Sequence, residues 1–257
     1  AIGENAGQGT APSSTGDNVG TDNIFLGTDS GRCITTACYN VFVGHYAGCQ
    51  VTTGGGNVAI GKYALNEGVI TGENNVAIGV NAGKILTSAS GNVFLGPSAG
   101  QKTTTSGNNV FIGDKAGTCR QGGGRNIALG YYALFGSTTP ANNTGYYNIA
   151  FGALAGKNVT SGSYNILFGR QAGCVLADGT HNIIMGCNAL YGAVTAHSNV
   201  ALGPNAMNKI GAGNCNVFIG KDAGASSGTA TDNDASFNTA VGFEAGKLLT
   251  DGDQNVF

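Results

Sequence analysis

The chain has 257 residues, a formal charge of −2, 46 glycines, no Trp, 10% charged and 41% hydrophobic residues. That apolar share can build a core, which excludes plain disorder, and the glycines do not recur at every third position, which excludes collagen. No apolar run approaches the roughly 18 residues of a membrane span and no basic patch stands out, so neither membrane insertion nor nucleic-acid binding is expected of this stretch.

Taken in chain order, the sequence is one motif repeated. It first appears as the fragment Ile2-Gly3-Glu4-Asn5-Ala6-Gly7 and is complete from Asn23 onward. Its opening Asn returns at 40, 57, 75, 92, 109, 126, 148, 165, 182, 199, 216, 238 and 255, a period of 17 residues with one spacing of 18 from Asn57 to Asn75 and insertions after Gly130 and Gly220. Extra residues fall near 8–22, 131–147 and 221–237. Because the chain opens and stops on fragments of the motif, it reads as a single repetitive window, residues 1–257, of a longer array.

Asn109-Val110-Phe111-Ile112-Gly113-Asp114-Lys115-Ala116-Gly117 shows the unit. Position two is β-branched in every copy and position four is always apolar, from Leu26 and Val43 to Leu202 and Val241. Period-2 alternation puts both on one face, taken as the core face. Position five is Gly, as a corner with special backbone demands requires, and position eight is Ala apart from Ser30. Segments such as Lys84-Ile85-Leu86-Thr87 read as a second short strand closed by Ser/Thr/Gly turns. The expected fold is therefore all-β, a parallel β-solenoid of about 17 residues per coil, with coils stacked about 4.8 Å apart. In such register the Asn column, represented by Asn40, Asn57, Asn92, Asn109 and Asn126, would stack as a hydrogen-bonded ladder; a turn preference is the other reading.

Position three carries Phe25, Phe42, Phe94, Phe111 and Phe218 in some copies, Ala in others, and Leu167 and Ile184 in two more. Alternation places it opposite positions two and four, so an apolar stripe is expected outside, larger than a soluble monomer exposes. These five Phe are the expected assembly interface with further copies of the chain. A wider solenoid that buries them internally is the alternative.

The units Asn57-Val58-Ala59-Ile60-Gly61, Asn75-Val76-Ala77-Ile78-Gly79 and Asn199-Val200-Ala201-Leu202-Gly203 resemble the repeats of YadA-like heads in trimeric autotransporter adhesins. The chain is also similar to N-x-F-I-G-x-x-A-G arrays of bacteriophage tail fibres. The resemblance implies a left-handed β-roll in a homotrimer, with position three near the shared axis. It also implies an extracellular, cell-surface or virion-borne structural fibre that mediates attachment. The adhesin repeat is shorter than 17 residues and its matching position is usually small, where this chain often has Phe.

Nothing in the sequence points to an enzyme, a cofactor or a metal. His45, His181 and His197 lie in unrelated settings, and the acids are scattered rather than paired. Of seven cysteines, none has C-x-x-C spacing, but Cys33 and Cys49 fall at adjoining positions of neighbouring coils and are a candidate disulfide. The insertions are candidate recognition loops, with Asn142, Tyr146 and Tyr147 offered to a host cell-surface glycan or protein. A purely structural surface filament is the alternative function. An ice-binding solenoid is a minor one, since no continuous Thr ladder runs through the coils.

Overall fold

The computed structural model describes residues 1–9, 20–139, 142–226, 234–250 and 252–257. Two compact units are distinguished, Ala1–Arg125 and Asn126–Phe257. The first holds strands β1 (Ile24–Leu26), β2 (Val41–Val43), β3 (Val58–Ile60), β4 (Val76–Ile78), β5 (Val93–Leu95) and β6 (Val110–Ile112). The second holds β7 (Ile127–Leu129), β8 (Ile149–Phe151), β9 (Ile166–Phe168), β10 (Ile183–Met185), β11 (Val200–Leu202), β12 (Val217–Ile219) and β13 (Thr239–Val241). Within each unit every strand pairs in parallel with its sequence neighbour, and motif positions match one to one: Val41 with Val58, Phe42 with Ala59, Val43 with Ile60. Each unit is a parallel β-solenoid of about 17 residues per coil.

One strand per coil is found, not two. The segment expected to form the second strand is a chain of turns, whose only extended pairing among the described residues is the bridge between Val51 and Ile70. Its backbone is satisfied all the same, because these turns stack in register. Ile85 N–H donates to the Gln101 carbonyl at 3.1 Å and Thr87 N–H to that of Thr104 at 3.0 Å. Inter-coil hydrogen bonding thus continues around the perimeter, as a buried backbone requires.

The parity of the strand is the reverse of that expected. In all thirteen strands the middle residue, motif position three, is buried, while positions two and four are half-exposed or exposed. Phe42, Phe94, Phe111 and Phe218 are fully buried and Phe25 is nearly so, all within their own chain. They are core residues, and the expected assembly interface on them is corrected. The reason is that a three-residue strand with apolar groups on both faces carries no inside–outside signal of its own. The corners decide it.

Position five is one such corner. Gly44 has φ +135°, and a Cβ there would lie 2.8 Å from the Gly61 carbonyl carbon one coil on. Only Gly allows that backbone and that approach. Position nine is the other. Gly48 has φ +60°, and a Cβ on it would meet the Phe42 ring at 2.4 Å. The same clash joins Gly100 to Phe94, Gly117 to Phe111 and Gly224 to Phe218, each at 2.3–2.5 Å. Where position nine is instead a large residue at positive φ, position three is Ala in three coils, Leu65 with Ala59, Leu134 with Ala128 and Met207 with Ala201, whereas Leu190 stands with Ile184. In the Phe coils the two positions reach into one space from opposite walls, so that a large residue at three leaves room only for Gly at nine. Coils with neither large residue borrow from neighbours. A Cβ at Gly83 would lie 2.8 Å from Phe94 and 3.0 Å from Leu65.

The remaining wall is supplied by the buried Ala column, including Ala47, Ala64, Ala99 and Ala133, and by Ile34, Val51, Leu86, Val159 and Leu176 at position twelve. Arg120 occupies that position in its own coil, fully buried, and burial pushes its guanidinium down to about 10.

Candidate functional site

With position three inside, positions two and four form the outer face of each sheet. In the first unit these are Ile24, Val41, Val58, Val76, Val93 and Val110 beside Leu26, Val43, Ile60, Ile78, Leu95 and Ile112. Ile24 is 60% exposed and Leu95 40%. In the second unit the face runs from Ile127 and Leu129 to Thr239 and Val241, with Phe168, Ile183, Met185 and Val241 among its exposed members. Strands of three residues stacked about 4.8 Å apart make each face on the order of 300 Å². No strand position in either unit carries a charge. A flat, in-register, uncharged face of this size is what the solvated side of a sheet normally lacks.

The Asn column lies buried along one edge of the sheet. Asn75 N–H donates to Asn57 Oδ1 at 2.9 Å, Asn75 Nδ2 donates to the same oxygen at 3.0 Å, and also to the Ala89 carbonyl at 2.9 Å. The pattern repeats at Asn40 on Asn23, Asn92 on Asn75 and Asn109 on Asn92. In the second unit it runs from Asn148 on Asn126 through Asn165, Asn182, Asn199, Asn216 and Asn238 to Asn255. At Asn75, Asn148, Asn165, Asn182 and Asn199 the amide accepts from the next coil and donates both to the previous one and to the loop beyond. Asp would lose the donors and stack buried charges, and Gln would overreach.

Of the candidate recognition residues, Tyr146 and Tyr147 pack into one aromatic group with Tyr164 and His181. Tyr147 stacks on Tyr164 at 5.2 Å and 9°, and Tyr164 stacks on His181 at 4.9 Å and 18°. Tyr146 sits edge-on to both Tyr147 and Tyr164. Tyr147, Tyr164 and His181 are the corner residues just before the ladder Asn, all at positive φ, so the coil repeat itself sets the ring spacing. Tyr147, Tyr164 and His181 thus present ring faces to one another. Asn142 is exposed in the insertion, while the adjacent Asn143 is buried and organises it: its Oδ1 accepts from Ser137 N–H at 2.8 Å and its Nδ2 donates to the Ser137 carbonyl at 2.9 Å. Residues 140–141 of this insertion, 10–19 of the first and 227–233 of the third lie outside the described residues.

A second aromatic group lies in the first unit. Tyr46 and Tyr63 stack at 5.7 Å, with His45 against both and the Lys62 ammonium 5.0 Å from the Tyr63 ring. The Asp29 charge and its hydrogen bond push the Tyr46 phenol up. His197 meets Thr180 through Nδ1 at 3.1 Å. Among the described residues no three His, Cys, Asp or Glu side chains are grouped as metal ligands.

Cys33 and Cys49 are free thiols that share one inter-coil hydrogen bond, Cys33 N–H to the Cys49 carbonyl at 2.9 Å. Burial pushes the Cys49 thiol up to about 11, against the opposing charge of Arg32. Burial also raises Cys119 and Cys174, with Lys102 and Lys157 opposing it. The signal that sequence reading missed is the exchange between positions three and nine. It is visible in the chain, because every Phe at position three of a coil that extends to position nine is followed six residues later by Gly. No protein-family model, curated protein or solved structure matches this chain.

Proposed function

We propose that this chain is the shaft of an extracellular or virion-borne appendage, a structural fibre that self-associates and holds an attachment surface away from its base. The observation that carries the reading is the uncharged outer face of positions two and four. Burying such a face is favourable at roughly 25 cal/mol per Å² of apolar surface. Another copy of the same chain offers a matching partner of the same strand spacing and no charge to desolvate. Three copies around a common axis, in a left-handed roll, is the arrangement that the resemblance to adhesin heads and tail fibres favours. The interface in that assembly is the Val/Ile/Leu face, not the Phe column. The insertion with Asn142, Tyr146 and Tyr147 is the surface proposed to meet a host glycan or protein. The reading involves no catalytic step and no cofactor.

Sedimentation equilibrium of the full chain tests it. A discrete oligomer is expected, converted to monomer by the pair Ile60→Lys and Leu95→Lys with the circular dichroism spectrum unchanged. A wild-type monomer at micromolar concentration overturns the proposal. Polymers of indefinite length instead support the filament alternative.

A further inference from the structure

We infer that Cys33 and Cys49 form an oxidisable dithiol, a modification site that takes a low-molecular-weight disulfide as co-reactant and ends as a covalent staple between two neighbouring coils. The backbone holds the two residues in place on both sides. Gly31 N–H donates to the Ala47 carbonyl at 3.0 Å, Cys33 N–H to the Cys49 carbonyl at 2.9 Å, and Thr35 N–H to the Thr52 carbonyl at 3.0 Å. Cys33 and Cys49 are one motif position out of register, so a coil spacing of about 4.8 Å combined with a rise of about 3.3 Å along the chain gives a Cα separation on the order of 6 Å, inside the ~4.4–6.8 Å that a disulfide spans without moving the chain. None of the other five cysteines shares an inter-coil backbone hydrogen bond with a cysteine among the described residues.

The surroundings give the two sulfurs different roles. Cys33 is half-buried and Cys49 is buried. Arg32 lies beside both thiols, its charge acting most on Cys49, and is anchored by Asp29 at 3.4 Å, with its guanidinium 5.9 Å from the Tyr46 ring. An accessible thiol meets reagents in solution, whereas a buried thiol is slow to react with them. Cys33 therefore attacks first. Its thiolate displaces one thiolate from an external disulfide such as glutathione disulfide, leaving a mixed disulfide on Cys33. Cys49 then gives up its proton to solvent and attacks the Cys33 sulfur, forming the Cys33–Cys49 bond and expelling the second thiolate. The protein dithiol is oxidised by two electrons, and the external disulfide is reduced to two thiols.

The experiment incubates the full chain with glutathione disulfide at pH 8, quenches with acid, alkylates the remaining thiols and maps peptides after trypsin and chymotrypsin. The expected product links Cys33 to Cys49, two hydrogens lighter than the dithiol, with Cys38 alkylated. Cys49→Ala should instead keep one glutathione on Cys33, and Cys33→Ser should keep none at Cys49. A link through Cys38, a persistent mixed disulfide on the wild-type chain, or both thiols still alkylatable at equilibrium would overturn the inference.

Discussion

Replacing Phe42 with Ala and Gly48 with Leu, singly and together, probes the packing rule that sets which side of the strand is inside. Phe42 is fully buried, so Phe42→Ala removes a ring from a close-packed wall and is expected to cost about 3–5 kcal/mol. Part of that is the ring contact with Phe25, whose centroid lies 5.6 Å away. Gly48→Leu alone puts a Cβ 2.4 Å from the Phe42 ring and forces the wall apart, an overpacking cost of about 1–3 kcal/mol. The backbone conformation is not the obstacle, since Leu65 and Leu190 adopt φ 48° at the same position. Combined, the two changes recreate the Ala59 and Leu65 pairing of the next coil. The double variant should be destabilised by less than Phe42→Ala alone, with a coupling of about 3 kcal/mol, where independent sites add within ~0.5 kcal/mol. Guanidinium unfolding of all four proteins, followed by circular dichroism, reads the cycle. Additive effects, or a Phe42→Ala cost below about 1 kcal/mol, would refute the inward packing and return the Phe column to the surface.

Asn75→Asp should destabilise the fold by at least 2 kcal/mol in the same unfolding assay, because it removes the donors to Asn57 Oδ1 and the Ala89 carbonyl and buries a charge. Gly44→Ala is expected to be about as damaging, since its Cβ meets the Gly61 backbone and φ +135° is closed to Ala; soluble expression with an unchanged melting temperature would contradict this. The raised Cys49 thiol gives a pH signature in the reduced protein. Below pH 9 the thiol is neutral in both the folded and the unfolded chain and its contribution to stability is complete. As pH rises to about 11 the unfolded chain ionises first and that contribution is lost. The fall in melting temperature over this window should be shallower in Cys49→Ala. In contrast to core changes, Leu95→Lys on the outer face should shift the oligomer distribution in sedimentation while moving unfolding by no more than ~0.5 kcal/mol.

The 17-residue period, the obligate Gly44 class of corner, the small Ala47 class and the Asn column are all legible in the sequence, because each is a column in which one residue type satisfies a backbone or hydrogen-bond demand. Such demands are local, or repeat at a fixed offset, so the sequence displays them directly. The direction in which the strand faces is different. Val41, Phe42 and Val43 are all apolar, and alternation among apolar residues leaves either face eligible for the core. Three-dimensional packing settles it, because the left-handed corner at Gly48 brings the backbone against the Phe42 ring and leaves the valines outside. The aromatic column of Tyr147, Tyr164 and His181 likewise emerges only when corner residues 17 apart are stacked. What the sequence alone determined is the coil and its ladder, since these depend on spacing. What the tertiary structure decided is which apolar residues fill the interior and which remain for a partner, since that depends on the volume shared by residues six positions apart.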